Sequence, residues 1–139
     1  MNCVACYVQE CQRLASACCK ALNVLHDAGI VQSDIREENT VWLGDEDAML
    51  IDLEHCRFER DDVPDNMQLS AWDDATFEVG PSGGRRYTFA SDVYLVGNML
   101  SKMAPASSTA LAIDFISKLK AKQLTVGEAL AHSWLSGLG

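Results

Sequence analysis

The stretch Leu25-His26-Asp27-Ala28-Gly29-Ile30-Val31-Gln32-Ser33-Asp34-Ile35-Arg36-Glu37-Glu38-Asn39 joins the end of a helical pattern to a polar loop. Upstream of it, from Val4 to about Ala28, apolar residues recur at helical spacing: Cys11, Leu14, Cys18 and Leu22, with Ala21 and Leu25, mark one face. Gly29 suits the position just past a helix end, where positive φ is common. Residues Ile30 to Thr40 carry isolated apolar side chains with no sustained period and read as a loop. Downstream, Val41-Trp42-Leu43 and Ala48-Met49-Leu50-Ile51 flank Gly44-Asp45-Glu46-Asp47, which is the pattern of a β-hairpin. Closing that hairpin brings Asn39 and Asp52 near one another. Asp34, Asn39 and Asp52 then form an oxygen-rich set of the kind Mg²⁺ takes, or one carboxylate orients a hydroxyl nucleophile. Equally, Asp34 and Asn39 satisfy loop backbone groups and Asp52 caps a turn.

Composition agrees with a folded chain. Its 139 residues, 48% hydrophobic and 22% charged, fit one domain of ordinary size and exclude collagen-like, low-complexity and disordered classes. The net charge of −9 argues against nucleic acid or an anionic membrane surface as a partner. Acidity is concentrated between residues 27 and 78, which hold 16 of the 20 carboxylates against Arg36, Arg57 and Arg60, a net −13. Function is expected in that middle. Five of the six cysteines crowd the first 19 residues within one helical pattern, so they read as small buried apolar residues rather than a disulfide framework. A sharper alternative is metal binding through Cys3-x-x-Cys6 with Cys11 or the Cys18-Cys19 pair. No signal-peptide pattern or membrane-length apolar run is present, so an intracellular, reducing, cytoplasmic location is the expectation.

Residues 53 to 88 read as mostly irregular, with Pro64, Pro81 and a glycine cluster at 80–84. Helices are expected from Ala90 to about Met103 with Ser91 as N-cap, from about Ser108 to Lys120, and from Thr125 to near Leu135, where Thr125 and Glu128 form a capping box. The second of these carries the apolar residues Leu111, Ile113, Phe115, Ile116 and Leu119.

The quoted stretch resembles the helix and catalytic loop of eukaryotic-type protein kinases, whose pattern is L-H-x-x-G-I-V-H-R-D-I-K-P-E-N. Three further motifs follow in the family's order. Leu50-Ile51-Asp52-Leu53-Glu54 stands at its D-F-G motif, and Ala90-Ser91-Asp92-Val93-Tyr94-Leu95-Val96-Gly97 resembles its S-D-V-Y-S-L-G helix. Leu124 to Leu135 resembles its L-T-x-x-E-A-L-x-H-P-W-L ending. The resemblance implies a mainly α fold: a protein-kinase-like C-terminal lobe, a helical bundle with one small β-hairpin and no N-terminal lobe. Over residues 1–139 it divides into a catalytic-type loop at 30–40, a hairpin at 41–51, an activation-like segment at 52–88 and a helical part at 89–135. It implies Asp34 as catalytic base, Arg36 in place of the lysine that contacts the transferred phosphate, and Asn39 and Asp52 as Mg²⁺ ligands at the ATP site. Asp92 takes the place of the aspartate that braces the catalytic loop, and Leu53 keeps the packing role of the D-F-G phenylalanine.

The departures from the family pattern are equally specific. Gln32 and Ser33 replace the H-R pair, which removes the usual partner of a phosphorylated activation loop. Glu54 replaces a glycine beside the metal position. No A-P-E closes the activation-like segment, and Gln123 stands where the arginine pairing with its glutamate would be, so both halves of that brace are expected to be missing. No G-x-G-x-x-G and no V-A-I-K lysine is present. Phosphoryl transfer depends on positioning and electrostatics. The expectation is therefore a truncated, pseudokinase-like lobe that is inactive alone and works through a protein partner or self-association covering the exposed cleft face. The alternative is the catalytic half of a Mg²⁺/ATP-dependent Ser/Thr protein kinase. A small-molecule phosphotransferase of the aminoglycoside or choline kinase type, suggested by Asp52-Leu53-Glu54, is a further alternative, opposed by the S-D-V-Y-like helix.

Overall fold

The structure, a computed structural model, describes residues 4–42, 48–50, 53–59, 62–104 and 109–136. Five α-helices occupy these residues: α1 (Val4–Asp27), α2 (Phe89–Met103), α3 (Ala110–Lys120), α4 (Val126–Ala131) and α5 (Ser133–Ser136). Six short strands lie between α1 and α2, namely β1 (Ile30–Val31), β2 (Thr40–Trp42), β3 (Ala48–Leu50), β4 (Arg57–Phe58), β5 (Glu78–Val79) and β6 (Arg85–Arg86). They form three antiparallel pairs, β1 with β4, β2 with β3 and β5 with β6, where the sequence suggested a single hairpin.

Among the described residues of α1 the buried apolar ones are Cys11, Leu14, Ala15, Cys18, Cys19 and Leu22, a run at intervals of three and four that turns one stripe toward the core. Gly29 ends the helix at φ +78°. The buried cysteines behave as apolar residues. Burial pushes the Cys11 thiol up to about 11 and the Cys19 thiol up to about 12, and raises Cys18 as well, so each stays protonated. The Cys3-x-x-Cys6 motif lies outside the described side chains.

The core centres on α2. Every residue from Ser91 to Gly97 is buried, so no face of this stretch meets solvent. Its N-cap is Thr88 rather than Ser91. Thr88 accepts from the Ser91 amide while the Ser91 hydroxyl accepts from the Thr88 amide, so Ser91 is the reciprocating third residue of a capping box. Helix α3 packs on α2 through Gly97, where a Cβ would stand 2.9 Å from the Leu119 Cβ and 3.0 Å from the Lys120 backbone nitrogen. On α3 the core residues are Ala112, Phe115, Ile116 and Leu119, whereas the apolar Leu111 and Ile113 face outward. The final helix is two helices. The capping box of Thr125 and Glu128 starts α4 as expected, but His132 is extended at ψ 144° and its Nδ1 accepts the Trp134 amide at 3.0 Å. The ring thus starts α5 while its Nε2 meets Asp114 Oδ2 of α3 at 2.8 Å.

The segment after Asp52 is more ordered than its sequence suggests. It contains 3-10 turns at Leu53–His55 and Asp74–Thr76 and contributes Val63, Trp72, Thr76 and Tyr87 to the interior. Side chains bonding to carbonyls hold it, and this leaves no periodic trace in sequence. Arg57 donates to the Asp62 carbonyl at 2.8 Å, and Arg85 donates to those of Pro64 and Met67. A different ion pair ties the segment to the helical part, with Lys122 Nζ 2.9 Å from Glu78 Oε1. It uses the residue before Gln123.

The α2–α3 contact yields a paired expectation. Gly97→Val should lower stability by about 1–3 kcal/mol through overpacking, whereas Gly127→Ala, with only Thr125 Oγ1 at 4.0 Å from its new Cβ, should be neutral or slightly stabilising. Urea denaturation of both variants checks this.

Candidate functional site

The loop 30–40 is set between two elements distant in sequence. At its start, β1 pairs with β4, Ile30 opposite Phe58 and Val31 opposite Arg57, so the activation-like segment borders the loop directly. At its end, β2 pairs with β3 in the register Thr40–Leu50, Val41–Met49 and Trp42–Ala48. This is the expected hairpin. Asp52 and the hairpin tip fall outside the described residues, so the expected approach of Asn39 to Asp52 has no structural description.

The expected Asp34–Asn39 juxtaposition is present. Asn39 Nδ2 donates to the Asp34 carbonyl at 2.9 Å and to Asp34 Oδ2 at 2.8 Å, with both residues buried. Arg36 Nε donates to Asp34 Oδ1 at 3.1 Å, and its Nη1 reaches Glu38 Oε2 at 3.1 Å. The Asp34 charge, more than any other group, raises the Arg36 pKa further above its ordinary value. The Asp34 carboxylate is thus oriented on both oxygens by side chains two and five residues away. Because Asn39 uses its NH₂ on Asp34, its carbonyl oxygen is the atom left to face a hard cation, a donor type that fits Mg²⁺. Among the described residues no group of three His, Cys, Asp or Glu side chains gathers as a metal cluster. Glu54, beside the Asp52 position, is exposed and lies 3.3 Å from His55.

Beneath the loop lies the carboxylate of Asp92, fully buried at 0% exposure. Its Oδ2 accepts the Gln32 amide at 2.8 Å and meets His26 Nε2 at 2.9 Å. Its Oδ1 accepts the Ser33 amide at 3.0 Å and the Tyr87 hydroxyl. The bracing role implied for Asp92 is therefore realised in the geometry. Burial, then the Asp92 charge, pushes the Tyr87 hydroxyl well above its ordinary range, which keeps it a donor. Ser33 is held at φ +77°, a conformation costly for an L residue. Gln32, noted in the sequence only as a replacement, is buried, and its Oε1 accepts the Asp34 amide at 2.7 Å. Sequence reasoning also missed Trp72, whose indole N–H donates to the Ser33 carbonyl at 2.7 Å. A lone tryptophan within an acidic, irregular stretch was its only signal. The neighbouring Asp73 accepts from the Tyr94 hydroxyl of α2 at 2.7 Å.

Two expectations follow. Asp92→Ala should cost about 3–5 kcal/mol, because it strands two buried amides, a tyrosine hydroxyl and His26; the chemical-denaturation midpoint reads this. At Asp73 burial raises the carboxyl pKa, but bonds from Tyr94, Thr76 and the backbone outweigh it and hold the carboxyl below its ordinary range. A group depressed in the folded state stabilises above its unfolded pKa, so this contribution is present at neutral pH and lost as pH falls below about 4. Tyr94→Phe should flatten that part of a stability–pH profile.

No protein-family profile matches the sequence, and no curated protein matches it. Solved structures do. A structure described as the ROP18 kinase domain in complex with AMP-PNP and sucrose superposes with a TM-score of 0.71 at 19% identity, over 94% of this chain and 42% of that one. A divergent kinase lacking the glycine-rich loop, described as regulating membrane ultrastructure of the Toxoplasma parasitophorous vacuole, superposes with a TM-score of 0.61 at 19% identity, over 93% of this chain and 43% of that one. The chain thus spans less than half the length of either. Its fold is protein-kinase-like, mainly α, and corresponds to part of a kinase domain.

Proposed function

We propose that the chain acts as a kinase-like C-terminal lobe through protein binding, with the face around the β2–β3 hairpin receiving the partner. The exposure of large apolar side chains there carries this reading: Val41 at 36%, Met49 at 46% and Leu53 at 55%. Val41 and Met49 are cross-strand partners, so their side chains lie on one face of the hairpin. Leu53 follows the end of β3 by three residues, at most about 10 Å of chain. The packing role implied for Leu53 is not met among the described residues, which leave it uncovered. Covering a large apolar side chain fully contributes roughly 1.5–3 kcal/mol, so this face favours an occupant. A further protein lobe suits it, since the matched kinase structures are more than twice as long as the part this chain covers. On this reading the 139 residues alone do not transfer phosphate, because they contain no glycine-rich loop or strand lysine to position a nucleotide.

The ordered Asp34–Asn39–Arg36 set favours a second reading, in which a completed cleft transfers phosphate from ATP. Asn39 and Asp52 would hold Mg²⁺, which supplies neutralisation of phosphate charge when bound. Asp34 would orient a substrate hydroxyl and accept its proton, and Arg36 would contact the phosphate.

Sizing and pull-down of the full chain test the binding reading. Self-association or a retained partner is expected, with loss in a Val41→Asp/Met49→Asp variant of unchanged melting temperature. A strictly monomeric, partner-free chain would contradict it. A Mg²⁺-dependent thermal shift at millimolar ATP, abolished by Asp52→Ala, would favour the second reading.

A further inference from the structure

The peptide between Ser33 and Asp34 carries the loop's central carboxylate and is held at both ends. Its carbonyl accepts the Trp72 indole N–H at 2.7 Å, and its amide donates to Gln32 Oε1 at 2.7 Å. The preceding amide, that of Ser33, goes to Asp92. A residue at φ +77° persists only where its surroundings over-determine it; from the activation-like segment, Trp72 holds the Ser33 carbonyl directly, beside Tyr87, which bonds Asp92. The indole is itself fixed. It packs edge-on to Phe77 at 5.1 Å and tilted to Tyr87 at 5.9 Å, and Arg85 caps the cluster 4.6 Å above Phe77. The next residue, Asp73, is tied to Tyr94 of the central helix.

The described arginines of the segment serve this internal arrangement. Arg85 donates to the Pro64 and Met67 carbonyls, Arg57 to that of Asp62, and Arg86 to Glu59 at 3.1 and 3.2 Å. A phosphate added to the segment would compete with contacts already made. Ser33 occupies the loop position where the resemblance places an arginine able to meet a phosphate.

We propose that Trp72 is a positioning residue that fixes the Asp34-bearing peptide and docks the activation-like segment on the loop without phosphorylation. Its functional meaning rests on the kinase-like reading of the loop. The indole N–H does by direct hydrogen bonding what a phosphate–arginine pair does by charge.

The test uses the full chain produced free of phosphate and follows exchange of individual N–H groups by NMR. In the wild type the Trp72 indole N–H should exchange slowly. Trp72→Phe keeps an aromatic ring but has no N–H; it should speed exchange of the Asp34 amide about tenfold, the loss of roughly one net hydrogen bond. Amides within α2 and α3 should be unaffected. Tyr94→Phe, which cuts the neighbouring anchor, should leave the Asp34 amide slow. An Asp34 amide unchanged in Trp72→Phe would overturn the proposal, as would segment protection that appears only after phosphorylation. Should Trp72→Phe fail to fold, the wild-type indole decides: slow exchange supports the proposal and fast exchange overturns it. No nucleotide or partner is involved, so an outcome here is independent of whether the protein binds either.

Discussion

The buried carboxylate of Asp92 is the interaction on which the rest of this structure depends. It accepts the Gln32 and Ser33 amides and the Tyr87 hydroxyl and meets His26, so α1, the loop, the end of the activation-like segment and α2 converge on two oxygen atoms. A charge at that depth is tolerated only when its lone pairs are filled by well-placed donors. Meeting that condition dictates much of the fold. Helix α2 must be buried on all sides from Ser91 to Gly97 to deliver the carboxylate, α3 must approach closely enough to require Gly97, and Ser33 must adopt a positive φ so that its amide points inward.

The loop's candidate site groups inherit their order from this base. Asp34 follows directly after the two amides bound by Asp92, and Asn39 and Arg36 then fix both of its oxygens. The acidic middle of the sequence is therefore not one solvated patch. Asp34 and Asp92 are interior acceptors, whereas Asp62, Asp73 and Glu59 organise the activation-like segment through Ser82, Tyr94 and Arg86. Several of the carboxylates between residues 27 and 78 are thus structural groups of the loop and segment.

What could be read in the sequence was whatever has a period or a motif. The α1 stripe, the presence of α2, the Thr125–Glu128 capping box and the β2–β3 hairpin all follow from local spacing, though the hairpin pairs Trp42 with Ala48 and α2 is buried on every face from Ser91 to Gly97; the kinase resemblance correctly anticipated both the fold and the Asp92 brace. What could not be read depended on partners far along the chain. Thr88 outcompetes Ser91 as a cap because the two residues reciprocate. His132 breaks the last helix because its ring serves both Trp134 and Asp114. The order of the described residues in 53–88 comes largely from side chains bonding to distant partners, as Arg57 and Arg85 do to carbonyls and Lys122 does to Glu78. Of the candidate site, Asp34, Arg36 and Asn39 are brought together as expected, while the placement of Asp52 rests on resemblance.

A lobe organised around Asp92 has its loop formed by contacts within the chain, with Asp34 oriented but buried and the hairpin side chains Val41 and Met49 left exposed. Native-state hydrogen exchange of the full chain measures this most directly. The account predicts that the Gln32 and Ser33 amides exchange as slowly as the core amides of α2, opening only with global unfolding. Exchange at those two amides as fast as at exposed backbone, with α2 still protected, would contradict it.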